Sequence, residues 1–408
     1  MGYSAAMALP TKVLLLENVH ASAHELFREA GVDLELVKGA LGEKELIEKL
    51  QSGVQVLGIR SKTKVTQAVL DAAPSLMTVG CFCIGTNQVA LAHANSRGIA
   101  VFNAPFSNTR SVAELVISEV IALARQLGDR SREVHEGQWR KVADGCIEVR
   151  GKTLGIVGYG HIGRQVGVLA EMIGMRVIFF DCAARLPMGN NRSCSHLDLL
   201  LSEADFVTLH VPETAQTANM IGATEIAKMK KGSYLLNLSR GTVVVIQALA
   251  DAITRGHIAG AGVDVYPDEP ETNSDGFASP LRGLPNVLLT PHVGGSTMEA
   301  QEAIGREVAN ALLKYVQHGT TVGAVNFPQV ELPRTEGKHR IVNVHRNVPG
   351  VLRDINRCIS ELDGNVYAQV LSTDPNIGYL VADLDNAITA DLATSITRLA
   401  TNLRTRAM

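Results

Sequence analysis

The stretch from Leu154 to Asp181 constrains the fold most, because it reads as a strand, a glycine turn, a helix and a second strand that ends at an acidic residue. Gly158 permits the sharp turn, Gly160 lets backbone N–H groups approach a pyrophosphate, and Gly163 lets the helix pack against its strand. The positive N-terminal end of the helix then faces the phosphates. Asp181 follows the turn by about twenty residues, where a carboxylate accepts the ribose hydroxyls and repels a 2′-phosphate. This context predicts a dinucleotide site that favours NAD over NADP, rather than a glycine turn with a purely structural role.

Strand-like and helical runs alternate from Lys12 to Asn103. Such alternation predicts βαβ units and a parallel sheet, so the first domain is expected to be an open α/β layer. A helical pattern from Ser111 to Asp129 leads into the dinucleotide domain, which contains another at Val243 to Arg255, and Met298 to Tyr315 leads back. The predicted domains are a discontinuous substrate-binding domain (1–108 and 296–330), a dinucleotide domain (109–295), a linker (331–338) and a C-terminal domain (339–408).

The C-terminal domain reads as strand, helix, two strands, helix and a short final segment. This βαββαβ order predicts a small antiparallel sheet with helices on one face. The final segment, Thr401 to Met408, is less strand-like than a closing strand should be. No catalytic motif lies in this domain, so we expect it to serve regulation or assembly.

The composition is that of a packed protein, with 46% hydrophobic and 19% charged residues. A net charge of -3 provides no basic footprint for nucleic acid or an anionic membrane, so the expected partners are small molecules and other subunits. No apolar run is long enough to span a membrane and the N-terminus lacks a signal-peptide pattern, which predicts a cytoplasmic protein. The six cysteines show no metal-binding spacing, so they are expected to be reduced thiols.

Three ionisable residues follow predicted strands of the dinucleotide domain, where ligands bind in open α/β sheets. Arg240 offers a planar fork of donors for a carboxylate, Glu269 precedes a proline, and His292 follows the last strand. Alone, Arg240 would more simply form a surface ion pair, and a lone His is more often structural. Together they suit hydride transfer between NAD and a 2-hydroxy or 2-oxo acid. His292 would move the hydroxyl proton, Glu269 would orient the imidazole and raise its pKa, and Arg240 would hold the substrate.

Long stretches of the chain resemble the D-isomer-specific 2-hydroxyacid dehydrogenase family, in particular its bacterial branch with a C-terminal ACT domain. The matching stretches are Gly58–Ser61, Gly80–Asn87, Asn103–Glu114, the glycine turn and Pro291–Ser296. The resemblance implies an α/β protein with a Rossmann-like NAD-binding domain, a flavodoxin-like substrate-binding domain and an ACT domain. It also implies that Arg240, Glu269 and His292 form the catalytic trio.

The same resemblance assigns binding residues. Those expected to contact NAD are Gly158, Gly160, His161, Ile162, Gly163, Asp181, Leu238, Ser239, Arg240, Asp264, His292, Val293, Gly294 and Gly295. Those expected to face the substrate are Arg60, Ser61, Ile84, Gly85, Asn108 and Arg240. Arg60 is the natural partner of a phosphate, since a doubly charged substrate needs more positive charge than Arg240 supplies. Lys38 and Lys141 are further candidates, and Trp139 is expected at a subunit contact.

In the related ACT domains, serine binds between paired subunits, and His345, Asn347 and Asn365 match that site. The resemblance thus implies a homotetramer that oxidises 3-phospho-D-glycerate to 3-phosphohydroxypyruvate with NAD, the first step of serine biosynthesis, under serine inhibition. Reduction of 2-oxoglutarate is an additional expectation. Three alternatives stay open: a reductase of glyoxylate or other 2-oxo acids, an NAD(H)-sensing scaffold without activity, and an ACT domain that only holds subunits together.

Overall fold

The computed structural model describes residues 11–270, 276–385 and 388–408. Packing divides the chain into two compact units. The first comprises the described residues up to Ser107 together with Gln301–Met408, and the second comprises Asn108–Ala300. The C-terminal residues therefore share a unit with the N-terminal ones, and the finer division into three domains stays a prediction.

The N-terminal part of the first unit is a parallel sheet flanked by helices. Its elements are β1 (Lys12–Leu15), α1 (Ala21–Glu29), β2 (Asp33–Leu36), α2 (Glu43–Gln51), β3 (Val56–Ile59), α3 (Gln67–Asp71), β4 (Thr78–Cys81), α4 (Leu91–Ser96) and β5 (Ala100–Asn103). The order β2-β1-β3-β4-β5 is the flavodoxin-like one, as predicted. The sequence pattern did not predict β2 and α2. Their acidic and basic residues hide the pattern, because β2 is a half-exposed edge strand and α2 buries only Leu46 and Leu50.

Among its described residues, the second unit contains seven strands in one parallel sheet. Its elements are α5 (Thr109–Ala124), α6 (Leu127–His135), β6 (Thr153–Val157), α7 (His161–Met172), β7 (Arg176–Phe180), β8 (Arg192–Ser193), α8 (Leu197–Glu203), β9 (Phe206–Leu209), α9 (Ala223–Lys228), β10 (Ser233–Asn237), a 3-10 turn (Gly241–Val243), α10 (Ile246–Thr254), β11 (Ile258–Val263) and β12 (Val287–Leu289). The order β12-β11-β10-β9-β6-β7-β8 places β6 centrally, beside the point where the strand order reverses. This is the Rossmann arrangement, in which ligands bind at the carboxyl edge.

Two helix predictions in this unit were wrong in detail. The pattern from Ser111 to Asp129 forms two helices, because Gln126 adopts a left-handed conformation with φ 53° that ends α5. The pattern from Val243 to Arg255 begins only at Ile246, after the 3-10 turn.

The first unit is completed by α11 (Met298–His318, which begins in the second unit), β13 (His339–Arg346), α12 (Val351–Glu361), β14 (Val366–Thr373), β15 (Ile377–Leu384), α13 (Thr389–Thr397) and β16 (Asn402–Ala407). The antiparallel order β14-β15-β13-β16 is compatible with an ACT domain. Residues of α12 and α13 cover one face of this sheet, whereas Val342 and Tyr379 on the other face pack in a core with Tyr315 of α11.

The expectation that residues 401–408 are poorly suited to a strand was wrong. β16 pairs with β13 along Ile341–His345 and closes the sheet. Its arginines are accommodated by distant partners. Arg404 donates to the carbonyl of Leu76, and the guanidinium of Arg406 lies 4.5 Å from the ring centre of Tyr315. No helix among the described residues is both long and apolar enough to span a membrane.

Candidate active site

The glycine turn joins β6 to α7 at the centre of the second sheet. Gly158 has φ +90°, and a Cβ on Gly163 would overlap the carbonyl oxygen of Gly158. A Cβ on Gly160, by contrast, would meet no atom within 4 Å, so open space lies beside the backbone at the N-terminus of α7. This is the cradle that a pyrophosphate requires, and the residues present fit a dinucleotide.

Asp181 directly follows β7 and is tied to this turn. Its carboxylate accepts hydrogen bonds from the backbone N–H of Tyr159 at 2.8 Å and of Ala183 at 2.9 Å. Arg185 lies 3.4 Å away as an ion-pair partner. The acidic residue predicted to select NAD is thus held in a fixed orientation at the carboxyl edge of the sheet.

His210 also lies in this region, although the sequence did not predict it as a site residue. It follows β9, and its carbonyl would collide with any Cβ on Gly158, which explains why that position needs glycine. Its Nε2 lies 3.0 Å from Thr208 Oγ1, while its Nδ1 is buried without a protein partner. Burial lowers the pKa of His210 to about 3, so the ring is neutral at physiological pH. Its position at a strand end beside the glycine turn was the available signal.

His292 and Glu269 form a hydrogen-bonded pair beyond the ends of β12 and β11. His292 Nδ1 lies 2.8 Å from Glu269 Oε2, and Glu269 Oε1 accepts from the Tyr266 backbone N–H at 3.1 Å. The hydrogen bond to Glu269 raises the pKa of His292 against the effect of burial. Burial of Glu269 opposes its ionisation, but the hydrogen bond and charge of His292 outweigh it and lower the pKa of Glu269. Since Nδ1 is engaged, Nε2 is the nitrogen that can exchange a proton with a bound molecule.

Asp264 organises the turn that carries His292. Its backbone carbonyl accepts from the His292 N–H at 2.8 Å, and its carboxylate accepts from the N–H groups of Val293 and Gly294, each at 2.8 Å. The hydroxyl of Thr290 donates to the same carboxylate at 2.6 Å. These hydrogen bonds hold His292 in the left-handed region with φ 55°, a conformation that persists only where surrounding contacts determine it. Asp264, expected near NAD from the resemblance, therefore also shapes the turn that carries His292.

Arg240 lies between β10 and the 3-10 turn. Asn237 donates to its backbone carbonyl at 2.9 Å, and its own Nη1 donates to the carbonyl of Ser239 at 2.7 Å. Gly241 touches the backbone of Tyr266 so closely that a Cβ would overlap it, which brings the Arg240 loop against the loop of Glu269. The charge of Arg240 lowers the pKa of both His292 and Glu269, although less than their mutual contacts change them. The structure thus brings the predicted trio together.

The remaining substrate candidates lie in two places. Arg60 and Ser61 follow β3, and Ile84 and Gly85 follow the adjacent parallel strand β4, so all four occupy the carboxyl edge of the first sheet. Asn108 precedes α5 in the second unit and packs against Gly295. The Oδ1 atom of Asn108 is buried without a protein partner.

Comparison with known proteins identifies the family. The NAD-binding domain model of the D-isomer specific 2-hydroxyacid dehydrogenases matches residues 117–294. The chain is 53% identical to D-3-phosphoglycerate dehydrogenase of Dictyostelium discoideum over 397 residues, which cover 97% of each chain. This chain belongs to that family. It is also 53% identical to D-3-phosphoglycerate dehydrogenase of Escherichia coli strain K12 over 375 residues, which cover 92% of this chain and 91% of the relative.

As a D-isomer specific 2-hydroxyacid dehydrogenase, the chain is an NAD-dependent oxidoreductase with a small-molecule substrate. A solved structure with the same fold is D-lactate dehydrogenase from Aquifex aeolicus complexed with NAD and lactic acid. It has a TM-score of 0.67 and 27% identity, and the alignment covers 78% of this chain and all of that one. The predicted fold class, family and cofactor are confirmed.

The three predicted effector residues of this dehydrogenase do not meet within one chain. His345 lies near the end of β13 opposite Gly378, and Asn347, which directly follows β13, donates to the carbonyl of Asp374 at 2.7 Å. Asn365 precedes β14 at the level of His339, about 20 Å along the sheet by strand rise. A site that uses all three residues therefore needs a second copy of the chain.

Proposed function

We propose that this dehydrogenase reversibly oxidises 3-phospho-D-glycerate to 3-phosphohydroxypyruvate with NAD, the first step of L-serine biosynthesis. The observation that carries the proposal is near-full-length similarity to D-3-phosphoglycerate dehydrogenases together with the paired His292 and Glu269. Similarity of this extent includes the regions of both Arg60 and Arg240, which a phosphorylated acid would use.

Each residue of the trio has a defined part in the proposed reaction. NAD, when bound, supplies the acceptor for the hydride that leaves C2. His292 Nε2 takes the hydroxyl proton during oxidation and returns it during reduction. Glu269 fixes the ring through Nδ1 and stabilises the imidazolium. Arg240 holds the carboxylate and the oxygen on C2 through its planar donors.

The phosphate requires further positive charge, and Arg60 is the proposed partner. Ser61, Ile84, Gly85 and Asn108 are proposed to line the rest of the substrate site. Support comes from their matching positions in the family and from the clustering of the first four residues at one sheet edge. Reduction of 2-oxoglutarate, which also carries a second anionic group, is proposed as a side activity.

The test is oxidation of NADH by the purified protein with 3-phosphohydroxypyruvate, glyoxylate and 2-oxoglutarate. The proposal expects the phosphorylated substrate to be used best. Arg60→Ala should reduce kcat/KM for it by about a hundredfold, in line with the loss of a charge-assisted contact, and leave glyoxylate turnover almost unchanged. Arg28→Ala, an arginine of α1, is the matched control. Preference for an unphosphorylated acid would indicate a sister reductase, and no turnover at all would favour an NAD(H)-sensing scaffold.

We also propose that serine inhibits the enzyme by binding between two C-terminal domains, with His345 and Asn347 from one copy and Asn365 from another. The separation of these residues within one chain supports a shared site. His345→Ala and Asn365→Ala should each abolish inhibition by millimolar serine. Hybrid oligomers of the two variants should regain part of it, because one of the two sites at each mixed interface then keeps all three residues. If serine does not inhibit the wild-type enzyme, the C-terminal domain serves only assembly.

The proposed assembly is a cytoplasmic homotetramer, joined through the C-terminal domains and through the second unit. The second unit carries apolar side chains exposed to solvent around α6, including Leu127, Val134 and Val142, and Trp139 is 83% exposed. Exposed apolar surface of this kind marks subunit contacts. Sedimentation of the wild type and of Trp139→Ala tests this, with dissociation into smaller species expected for the variant.

A further inference from the structure

Glu17, which the catalytic scheme does not use, grips the loop that carries Arg60. It follows β1 and is only 8% exposed. Its carboxylate accepts hydrogen bonds from two consecutive backbone N–H groups, that of Thr63 at 2.8 Å and that of Lys62 at 3.0 Å. A charged acceptor makes both hydrogen bonds stronger than a neutral one would.

Glu17 also ties a second basic loop to the same place. Its own N–H donates to the carbonyl of Gly39 at 3.1 Å, directly after Lys38. Because β1 lies between β2 and β3, the loops after these two strands flank Glu17. Glu17 and Asn18 both adopt left-handed conformations, with φ 60° and 51°. Two consecutive strained residues indicate that the surrounding contacts determine this geometry.

Gln88 holds the Arg60 loop from another side. Its Nε2 donates to the carbonyl of Arg60 at 2.6 Å and to the carbonyl of Gly85 at 3.2 Å. The side chain is nearly buried. Arg60 is therefore fixed through its backbone to the loop after β4, while Glu17 fixes the residues that follow it.

We propose that Glu17, assisted by Gln88, is a positioning residue that fixes the Arg60 to Thr63 loop for the phosphorylated end of the substrate. The proposal rests on the proposed function, in which Arg60 contacts the phosphate. Neither residue needs to touch the substrate. Loosening the loop would move Arg60 and the backbone N–H groups near it, and small displacements at a binding site have large kinetic effects. If Glu17 had a purely structural role, its replacement would instead raise the KM for all substrates alike.

Glu17→Gln is the primary test, because glutamine has nearly the same size as glutamate. Its amide oxygen can still accept one of the two hydrogen bonds, but its NH₂ group is a donor and would face the other backbone N–H. The KM for 3-phosphohydroxypyruvate should rise about tenfold, as expected for one lost charge-assisted hydrogen bond, with kcat little changed. The KM for hydroxypyruvate, which lacks the phosphate, should stay almost constant. Glu35→Gln is the matched control, since Glu35 pairs with Lys49 on the edge strand β2 of the same sheet. Equal rises in KM for both substrates would overturn the proposal.

Gln88→Leu provides a second variant in case Glu17→Gln folds poorly. Leucine cannot donate to the carbonyl of Arg60 and adds no charge, so the same selective rise in KM is expected. In an Arg60→Ala background, neither change should raise the KM for the phosphorylated substrate further. A further rise in KM in that background would show that Glu17 and Gln88 do not act through Arg60.

Hydrogen exchange separates this inference from the proposed function. The amides of Lys62 and Thr63 should exchange faster in Glu17→Gln than in the wild type, whatever the substrate. Unchanged exchange would show that the Glu17 carboxylate does not hold these two amides. Faster exchange with an unchanged KM for 3-phosphohydroxypyruvate would show that Glu17 has no role in substrate binding. Lack of wild-type turnover with that substrate would refute the proposed function, while the exchange rates still decide whether Glu17 holds the loop.

Discussion

His292 Nδ1 lies 2.8 Å from Glu269 Oε2, and this contact determines the pH range in which the imidazole can carry a proton. The carboxylate raises the pKa of His292, whereas burial and the nearby Arg240 lower it. The protonated ring is the form that can donate to a 2-oxo acid during reduction, and the neutral ring accepts the proton during oxidation. The pair therefore links the direction of the reaction to pH.

Glu269→Gln should lower the pKa of His292, because the amide keeps a hydrogen-bonding oxygen but loses the negative charge. The alkaline limb of kcat/KM for reduction should move to lower pH. Oxidation should retain activity at lower pH than in the wild type. The pH dependence of initial rates in both directions checks this, and Asp268→Asn is the control, since the neighbouring carboxylate has no such contact with the ring. A limb that stays in place would contradict the assigned pair.

His292→Ala should lower kcat by about 10²- to 10⁴-fold, the usual contribution of a positioned acid–base group. NADH affinity, measured by fluorescence titration, should change only slightly. The ring projects from a turn that Asp264 holds through backbone groups, so its removal leaves the turn intact. Equal losses in turnover and NADH binding would argue against an acid–base role.

Asp181→Ala should weaken discrimination against NADPH, because it removes the carboxylate that a 2′-phosphate would meet. The ratio of kcat/KM for NADH to that for NADPH should fall by at least about tenfold, as like charges at a contact cost on the order of a kcal/mol or more. NADH binding should also weaken, since the same carboxylate holds the Tyr159 N–H in the glycine turn. Asp181→Glu keeps the charge and should retain the preference. An unchanged ratio in the alanine variant would remove Asp181 from cofactor selection.

Glu119→Gln should stabilise the protein at alkaline pH. Burial, reinforced by the charge of Asp264, raises the pKa of Glu119 from 4.5 to about 8, and neither carboxyl oxygen has a protein partner. The folded chain thus keeps a proton that the unfolded chain releases above its lower pKa. The free energy of unfolding must then fall as pH rises through this interval, by up to roughly 1.4 kcal/mol per unit.

Thermal unfolding from pH 4 to 9 tests the role of Glu119. The gain in Tm of Glu119→Gln over the wild type should be small below the unfolded pKa, grow as pH rises and level off above the folded pKa, which is about 8. Glu114→Gln, an exposed acid on the same helix that pairs with Arg110, should show no such trend. A gain independent of pH would mean that Glu119 is not protonated in the folded chain.

The sequence predicted that Arg240, Glu269 and His292 lie beyond strand ends, because each follows a strand whose apolar run is easy to recognise. Strand ends of a parallel sheet share one edge, so Arg240, Glu269 and His292 had to approach one another. Their contacts were not predictable. The close approach at Gly241 and the left-handed turn at His292 depend on residues that are distant in sequence.

The errors have the same origin. The break at Gln126 occurs within an apolar helical pattern, and its side chain lies against Gly145, well beyond the helix. The strand β16 looked too polar, yet Arg404 and Arg406 find carbonyl groups and a ring in other parts of the first unit. Local periodicity carries no information about such partners.

By itself, the sequence determined the alternation of strands and helices, the dinucleotide turn and the strand ends that precede Arg240, Glu269 and His292, because these follow from short-range periodicity and from glycine geometry. Only the tertiary structure decided how Asp264 holds His292, how Glu17 and Gln88 hold the Arg60 loop, and why Glu119 keeps its proton. Each of these depends on hydrogen bonds or burial between segments far apart in the chain, and only folding brings such segments together.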